Sequence, residues 1–236
     1  MPLPDPPSRS SRRRFLGAAI GLPLLAGLGW QFRPTTPPEF PERAPDGPRR
    51  PRLMVVYGSM MGGTAETAAW MADEARAAGI PVGLFRADTA PGPQDYDAVL
   101  MGSAIKASAW LPEMVGWAAR HAEALAAMPA ALFQTSMHCA GLTRMGRVPL
   151  DAAGRRVLLP TLGTLHAAVP ALAQAPVAFL PGRLEFARLT PGLRLAYPIV
   201  SQSVLSGDFR NPDWTRDFAR AQLGSAPFAQ ALAPRG

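Results

Sequence analysis

The chain has 236 residues, 48% of them hydrophobic and 17% charged, enough for one well-cored domain plus additional sequence. Its formal charge of +7 gathers at the front: nine of the 24 Arg and Lys and four of the 17 Asp and Glu fall in residues 1–52, which leaves an excess of about two positive charges from Leu53 onward. That later part carries no basic cluster interleaved with aromatics, which excludes a nucleic-acid partner, and the single cysteine, Cys139, excludes an internal disulfide and a thiolate metal cluster.

The first 33 residues read as a leader. Ser11-Arg12-Arg13-Arg14-Phe15-Leu16 resembles a twin-arginine export signal, with paired Arg just ahead of a Gly- and Ala-rich apolar stretch from Phe15 to Trp30. At about 16 residues the stretch is short of the roughly 20 that span a bilayer. The resemblance implies passage of a folded protein through the twin-arginine translocase and a periplasmic location. No clear A-x-A cleavage site follows Trp30, so membrane association through this segment stays open. Residues 34–52 are rich in Pro and Arg and read as an extended tether, with the folded domain over 53–225 and a tail over 226–236.

Leu53–Tyr57 is an apolar run closed by Gly58, the pattern of a buried parallel strand. From Thr64 the spacing turns helical, with Ala68, Met71, Ala72 and Ala75 at i, i+3, i+4 and i+7 and Gly79 as the stop. Val82–Phe85 and Ala98–Met101 are the second and third strands, and the Pro- and Gly-rich Arg86–Tyr96 between them is too short for a full helix. Pro112 opens a helix to about Ala127. Ala131–Gln134 and Val177–Leu180 are the fourth and fifth strands, with a helix over Thr161–Ala173 between them. Asn211-Pro212-Asp213 starts a last helix that places Trp214 and Phe218 on one face and ends before Gly224. Strands alternating with helices predict an α/β fold, a doubly wound five-stranded parallel sheet in the flavodoxin-like order 2-1-3-4-5.

In such a sheet a ligand binds beyond the carboxyl ends of the strands, where the order reverses. The loop after the first strand, Ser59-Met60-Met61-Gly62-Gly63-Thr64, leads directly into a helix. A helix N-terminus presents unpaired N–H groups and partial positive charge, and two glycines let the backbone close around an anion. Neither G-x-G-x-x-G nor G-x-x-x-x-G-K-[ST] is present, so the loop suits a terminal monophosphate; the bland alternative is a tight turn with no ligand.

Tyr57–Ala68 resembles the FMN-phosphate loop of the flavodoxin-domain family that includes menaquinone-dependent protoporphyrinogen oxidase, in which Y-G-S-x-x-G-x-T recurs. Tyr96–Ile105 with Trp110-Leu111-Pro112 is similar to that family's third strand and first flavin loop. Gly207-Asp208-Phe209-Arg210 with Asp213-Trp214 is similar to its closing G-D-x-R-x-W segment. The resemblance implies FMN as cofactor, held at Ser59, Met60, Met61, Gly62, Gly63 and Thr64 on the phosphate side. Ala104, Ile105, Lys106 and Trp110 would lie along one side of the ring and Ser136, Met137 and His138 along the other. Met61 stands where small flavodoxins carry a hydroxyl, and Ile105 and Trp110 are the apolar covers in place of a stacking aromatic. Lys106, the only lysine in the chain, is either a cation at the N1/C2=O edge of the flavin or a solvated surface residue.

Three functions follow from the resemblance. One is an oxidoreductase passing electrons from an organic donor to a quinone or a redox protein, with protoporphyrinogen as the family's substrate; a leader argues against that substrate, because haem precursors are handled on the cytoplasmic side. Another is an exported electron carrier. The last is a binding module that kept the fold and lost the flavin. His138 and Cys139 are assigned no catalytic role, since adjacent positions rarely point the same way, and the chemistry belongs to the cofactor.

Overall fold

The computed structural model describes residues 40–45, 52–185 and 206–234. The leader with Arg12–Leu16 and most of the Pro/Arg-rich stretch lie outside the described residues. The elements in chain order are β1 (Leu53–Gly58), α1 (Gly63–Ala77), β2 (Val82–Arg86), β3 (Ala98–Lys106), β4 (Ala109–Trp110), α2 (Pro112–Arg120), α3 (Ala122–Ala126), β5 (Ala130–Ser136), α4 (Met137–Leu142), α5 (Ala152–Leu158), α6 (Gly163–Ala168), β6 (Val177–Pro181), β7 (Arg183–Leu184), β8 (Gly207–Asp208), α7 (Pro212–Leu223) and α8 (Ala226–Ala231). Among the described residues no helix is long and apolar enough to cross a membrane.

The main sheet runs β2-β1-β3-β5-β6, all parallel, with β4 added antiparallel to the end of β3. Counting the five long strands alone, this is the expected 2-1-3-4-5. β1 shows why the sheet needs cover on both faces: Leu53 to Tyr57 are all fully buried, with Leu53, Val55 and Tyr57 in one core and Met54 and Val56 in the other. The first core lies under α1, α7 and α8, with Ala68, Met71, Ala72, Ala75, Ala219 and Phe228 packed on Leu100 and Phe133. The second lies under α2, α3 and α6, where Met114, Trp117, Leu125 and Leu165 meet Val99, Met101 and Leu132. Such burial is worth about 1.5–3 kcal/mol for each large apolar side chain.

Local chemistry sets where the helices start and stop. Gly79 takes φ +77°, the left-handed conformation that ends α1. Asn211 caps α7 by accepting from the Trp214 N–H at 3.1 Å. Two stretches differ from the expected elements. The single helix over Thr161–Ala173 is instead α6 flanked by 3-10 turns at Leu159–Leu162 and Pro170–Gln174, because Pro160 and Pro170 interrupt the ladder, and α5 precedes them. The helix from Pro112 breaks at His121 into α2 and α3.

The body also extends beyond residues 53–225. In the stretch read as a tether, Arg43 pairs with Leu84 in an antiparallel bridge, with both N–H···O distances 2.8 Å. Beside it the Arg86 guanidinium lies 4.1 Å over the Phe40 ring, and the Tyr57 hydroxyl donates to the Pro41 carbonyl at 3.0 Å. This arm covers part of the free edge of β2. Within the stretch read as a tail, α8 buries Phe228 in the first core, with Leu232 just beyond it.

β7 and β8 form a separate two-stranded ribbon pinned to the first turn of α1. Glu66 accepts from Arg183 at 2.6 Å and from Arg210 at 2.9 Å. Arg210 also forks onto Asp208 at 2.6 and 2.8 Å, reaches the Gly63 carbonyl at 3.2 Å and stacks 4.9 Å from the Trp70 ring. Burial works against ionised Asp208, but the Arg210 hydrogen bonds and charge outweigh it and hold its carboxyl below the usual range.

Two measurements check this account. Leu100→Ala lowers the unfolding free energy by about 2–5 kcal/mol in urea, while exposed Val157→Ala stays within about 0.5 kcal/mol. A carboxyl depressed in the folded state stabilises above its unfolded value of about 3.9 and loses that contribution as pH falls through the folded value. The stability gap between wild type and Arg210→Met therefore narrows as the pH drops below about 4, and a gap constant with pH would contradict the pairing.

Candidate functional site

The strand order reverses at β1, with β2 on one side and β3 on the other, and the carboxyl ends of β1, β3 and β5 lie side by side at Gly58↔Ser103 and Ala104↔Thr135. The β1–α1 turn, the end of β3 and the start of α4 therefore share one edge, as the sequence predicts.

The turn is short because its glycine permits it. Gly62 sits at φ +80°, ψ −15°, which a side chain would strain by about 1–2 kcal/mol, and α1 begins at the next residue. No side chain caps α1, so the N–H groups of its first turn keep their capacity for an outside acceptor. Ser59 is 2% exposed, and its hydroxyl has no hydrogen-bond partner among the described residues. Met60 and Met61 are half-buried, and Gly63 is buried against the backbone of Arg183. Thr64 is tied across to β5 by a 2.7 Å bond between its hydroxyl and that of Thr135.

The segment after β3, expected as a loop, is a hairpin. β3 continues through Ala104, Ile105 and Lys106, then reverses through Ala107 (φ 49°) and Ser108 (φ 60°) into β4. Two consecutive positive φ values define the tight two-residue hairpin turn, here built without glycine at a cost of about 1–2 kcal/mol per residue. Ala104 and Ile105 are half-buried and Lys106 is exposed.

Trp110 does not stand at this edge as an apolar cover. It is 2% exposed in the second core, and its indole N–H donates to the Gln134 Oε1 at 3.0 Å, which leaves no face for a ring to stack on. The hairpin carries it inward. The segment after β5 is likewise a helix: Ser136 caps α4 by accepting from the Cys139 N–H at 3.0 Å, with Met137 half-buried and His138 exposed. Cys139 points the other way, fully buried, and burial pushes its thiol up to about 12, so it supplies no nucleophile.

The structure adds residues that sequence reading left out. Arg183, 9% exposed along its side chain, brings its Nη2 to 3.5 Å from the Met61 carbonyl, and with Glu66 and Arg210 it frames the start of α1. The G-D-x-R segment was the available signal for Arg210; for Arg183, isolated beyond the fifth strand, there was none. Among the described residues no group of three His, Cys, Asp or Glu is placed to hold a metal.

Residues 54–153 match a family model described as a flavodoxin domain. Rubredoxin oxygen:oxidoreductase from Desulfovibrio gigas is similar at 21% identity and a TM-score of 0.33 over 52% of this chain, which spans 38% of that protein's length. A short-chain flavodoxin associated with a non-canonical PDU bacterial microcompartment is 12% identical over 74% of this chain and 97% of its own, with a TM-score of 0.44. Flavodoxin 1 from Bacillus cereus is 15% identical over 73% and 97%, with a TM-score of 0.40. A search of curated proteins gives no match. The match over residues 54–153 and the switch-point strand order agree on a flavodoxin-like fold.

Proposed function

We propose that this protein binds FMN at the β1–α1 turn and transfers electrons through it. One observation carries the reading: the uncapped start of α1 opens at the switch point of the sheet beside Ser59, a buried residue whose hydroxyl has no partner among the described residues. An uncapped helix start and an unpartnered hydroxyl are what a phosphate monoester would satisfy. Main-chain N–H groups of Gly63 and Thr64 and the Ser59 hydroxyl would donate to it, and the Arg183 guanidinium, held by Glu66 at 2.6 Å, would add positive charge beside the turn.

Bound there, FMN would supply one- and two-electron chemistry at its ring. The chain's own part is to hold and shield. The hairpin at Ala104–Lys106 would border one side of the ring and Met137–His138 the other. Lys106, exposed at the hairpin's end, would set a positive charge near the ring without being buried by it. The donor and acceptor in this reading are an organic reductant and a quinone or a redox protein, with protoporphyrinogen-oxidase-like chemistry as the enzymatic form. Export of the folded protein through the twin-arginine translocase to the periplasm belongs to the same proposal and rests on Ser11–Leu16.

Titration of the purified chain with FMN and with riboflavin, followed by flavin fluorescence, tests the cofactor. FMN should bind more tightly than riboflavin, and Arg183→Gln should weaken FMN by about tenfold or more while leaving riboflavin unchanged. A chain that ignores FMN would remove the proposal. For the leader, replacing Arg12 and Arg13 by Lys should keep the protein in the cytoplasm, as fractionation reads directly; continued export would sink that half.

A further inference from the structure

Among the described residues, every large hydrophobic side chain that stands exposed falls in one stretch of sequence: Leu142, Met145, Val148, Val157 and Leu159, at 38–51% exposure. The same stretch, residues 142–160, holds four arginines, Arg144, Arg147, Arg155 and Arg156, against one acidic residue, Asp151, and no aromatic. Asp151 accepts from the Gly154 N–H as the cap of α5, so its charge is engaged in holding that helix. Arg155 turns inward onto Phe179 and the Val177 carbonyl. Arg144 and Arg147 have no side-chain hydrogen-bond or ionic partner among the described residues, and all four arginines are exposed.

The backbone holds this surface in place. Arg144, Met145 and Gly146 take φ of 48°, 63° and 74°, three left-handed residues in succession, two of them with side chains. The turn is fixed by Thr143, whose carbonyl accepts from the N–H groups of Arg147 and Val148 at 3.0 Å. On its other side the Gly146 carbonyl accepts from the Asn211 side chain at 3.2 Å. Arg144 and Met145 are thus kept outward by a turn that is itself well bonded.

We infer that residues 142–160 form a membrane-surface site that takes anionic phospholipid. Apolar side chains of moderate size interleaved with guanidinium groups match the boundary between acyl chains and phosphate headgroups, where the first insert and the second pair. Exposed apolar side chains gathered in one short stretch suit a partner with an apolar layer, and the unbalanced positive charge of the same stretch selects an anionic one. The lack of aromatics disfavours single-stranded nucleic acid, which stacks its bases on such rings. The stretch begins at Leu142, the last residue of α4, one short helix beyond the end of β5. The inference does not depend on a flavin being bound.

The test uses the full chain with vesicles of phosphatidylglycerol and of phosphatidylcholine, in low and high salt. The chain should float with phosphatidylglycerol vesicles in low salt and be released by high salt. Arg144→Gln, Arg147→Gln and Arg156→Gln combined should weaken that binding by about a hundredfold, roughly fivefold for each guanidinium. Met145→Cys carrying an environment-sensitive thiol probe reads the site in a chain with one substitution, because buried Cys139 does not compete for the label. The probe emission should shift to the blue with phosphatidylglycerol and stay unshifted with phosphatidylcholine. Flotation with the probe still in water would mean that another segment carries the chain, and would overturn the inference. So would equal binding to both lipids, or a shift produced by an acidic polypeptide and not by vesicles.

Discussion

The rest of the structure depends on β1 being apolar on both sides. A strand with Leu53, Val55 and Tyr57 on one face and Met54 and Val56 on the other cannot leave either face in water. That constraint draws α1 and α7 to one side and α2, α3 and α6 to the other. It requires parallel neighbours joined by crossovers, and it makes the chain leave β1 through a turn short enough to start α1 immediately. The edge at which three strand ends converge follows from how a buried central strand is accommodated.

Much of this could be read in the sequence because it rests on local signals. The near-continuous apolar runs of β1, β3 and β5, the spacing of Ala68, Met71, Ala72 and Ala75, and the Asn211-Pro212 start of α7 each belong to one segment and survive in the fold. The tight turn from β1 into α1 was readable for the same reason, since Gly62, at φ +80°, supplies its left-handed residue. What stayed hidden depended on contacts distant in sequence. Whether Trp110 stands over a ligand or in the core is decided by the Ala107-Ser108 turn and by Gln134, 24 positions on. Arg183 reaches the loop across 122 positions. Nothing near it in sequence marks it out.

The segments after β3 and β5 illustrate another limit. Both were expected as loops beside a cofactor, and the structure builds one as a tight hairpin and the other as a capped helix. Left-handed residues other than glycine leave weak traces in sequence, because their cost is met by hydrogen bonds elsewhere in the fold. A site edged by such elements is set before any ligand arrives, which lowers the ordering entropy that binding must overcome.

The short arm at residues 40–45 bears on how the front of the chain can be trimmed. Its bridge between Arg43 and Leu84 occupies main-chain groups at the outer side of β2 that would otherwise be open to pairing with a second molecule. A chain shortened to begin at Phe40 would keep that strand shielded, whereas one begun after Pro45 would lose the shield and expose the β2 edge to pairing with another chain. Two main-chain hydrogen bonds thereby tie the starting point of a shortened chain to its tendency to self-associate.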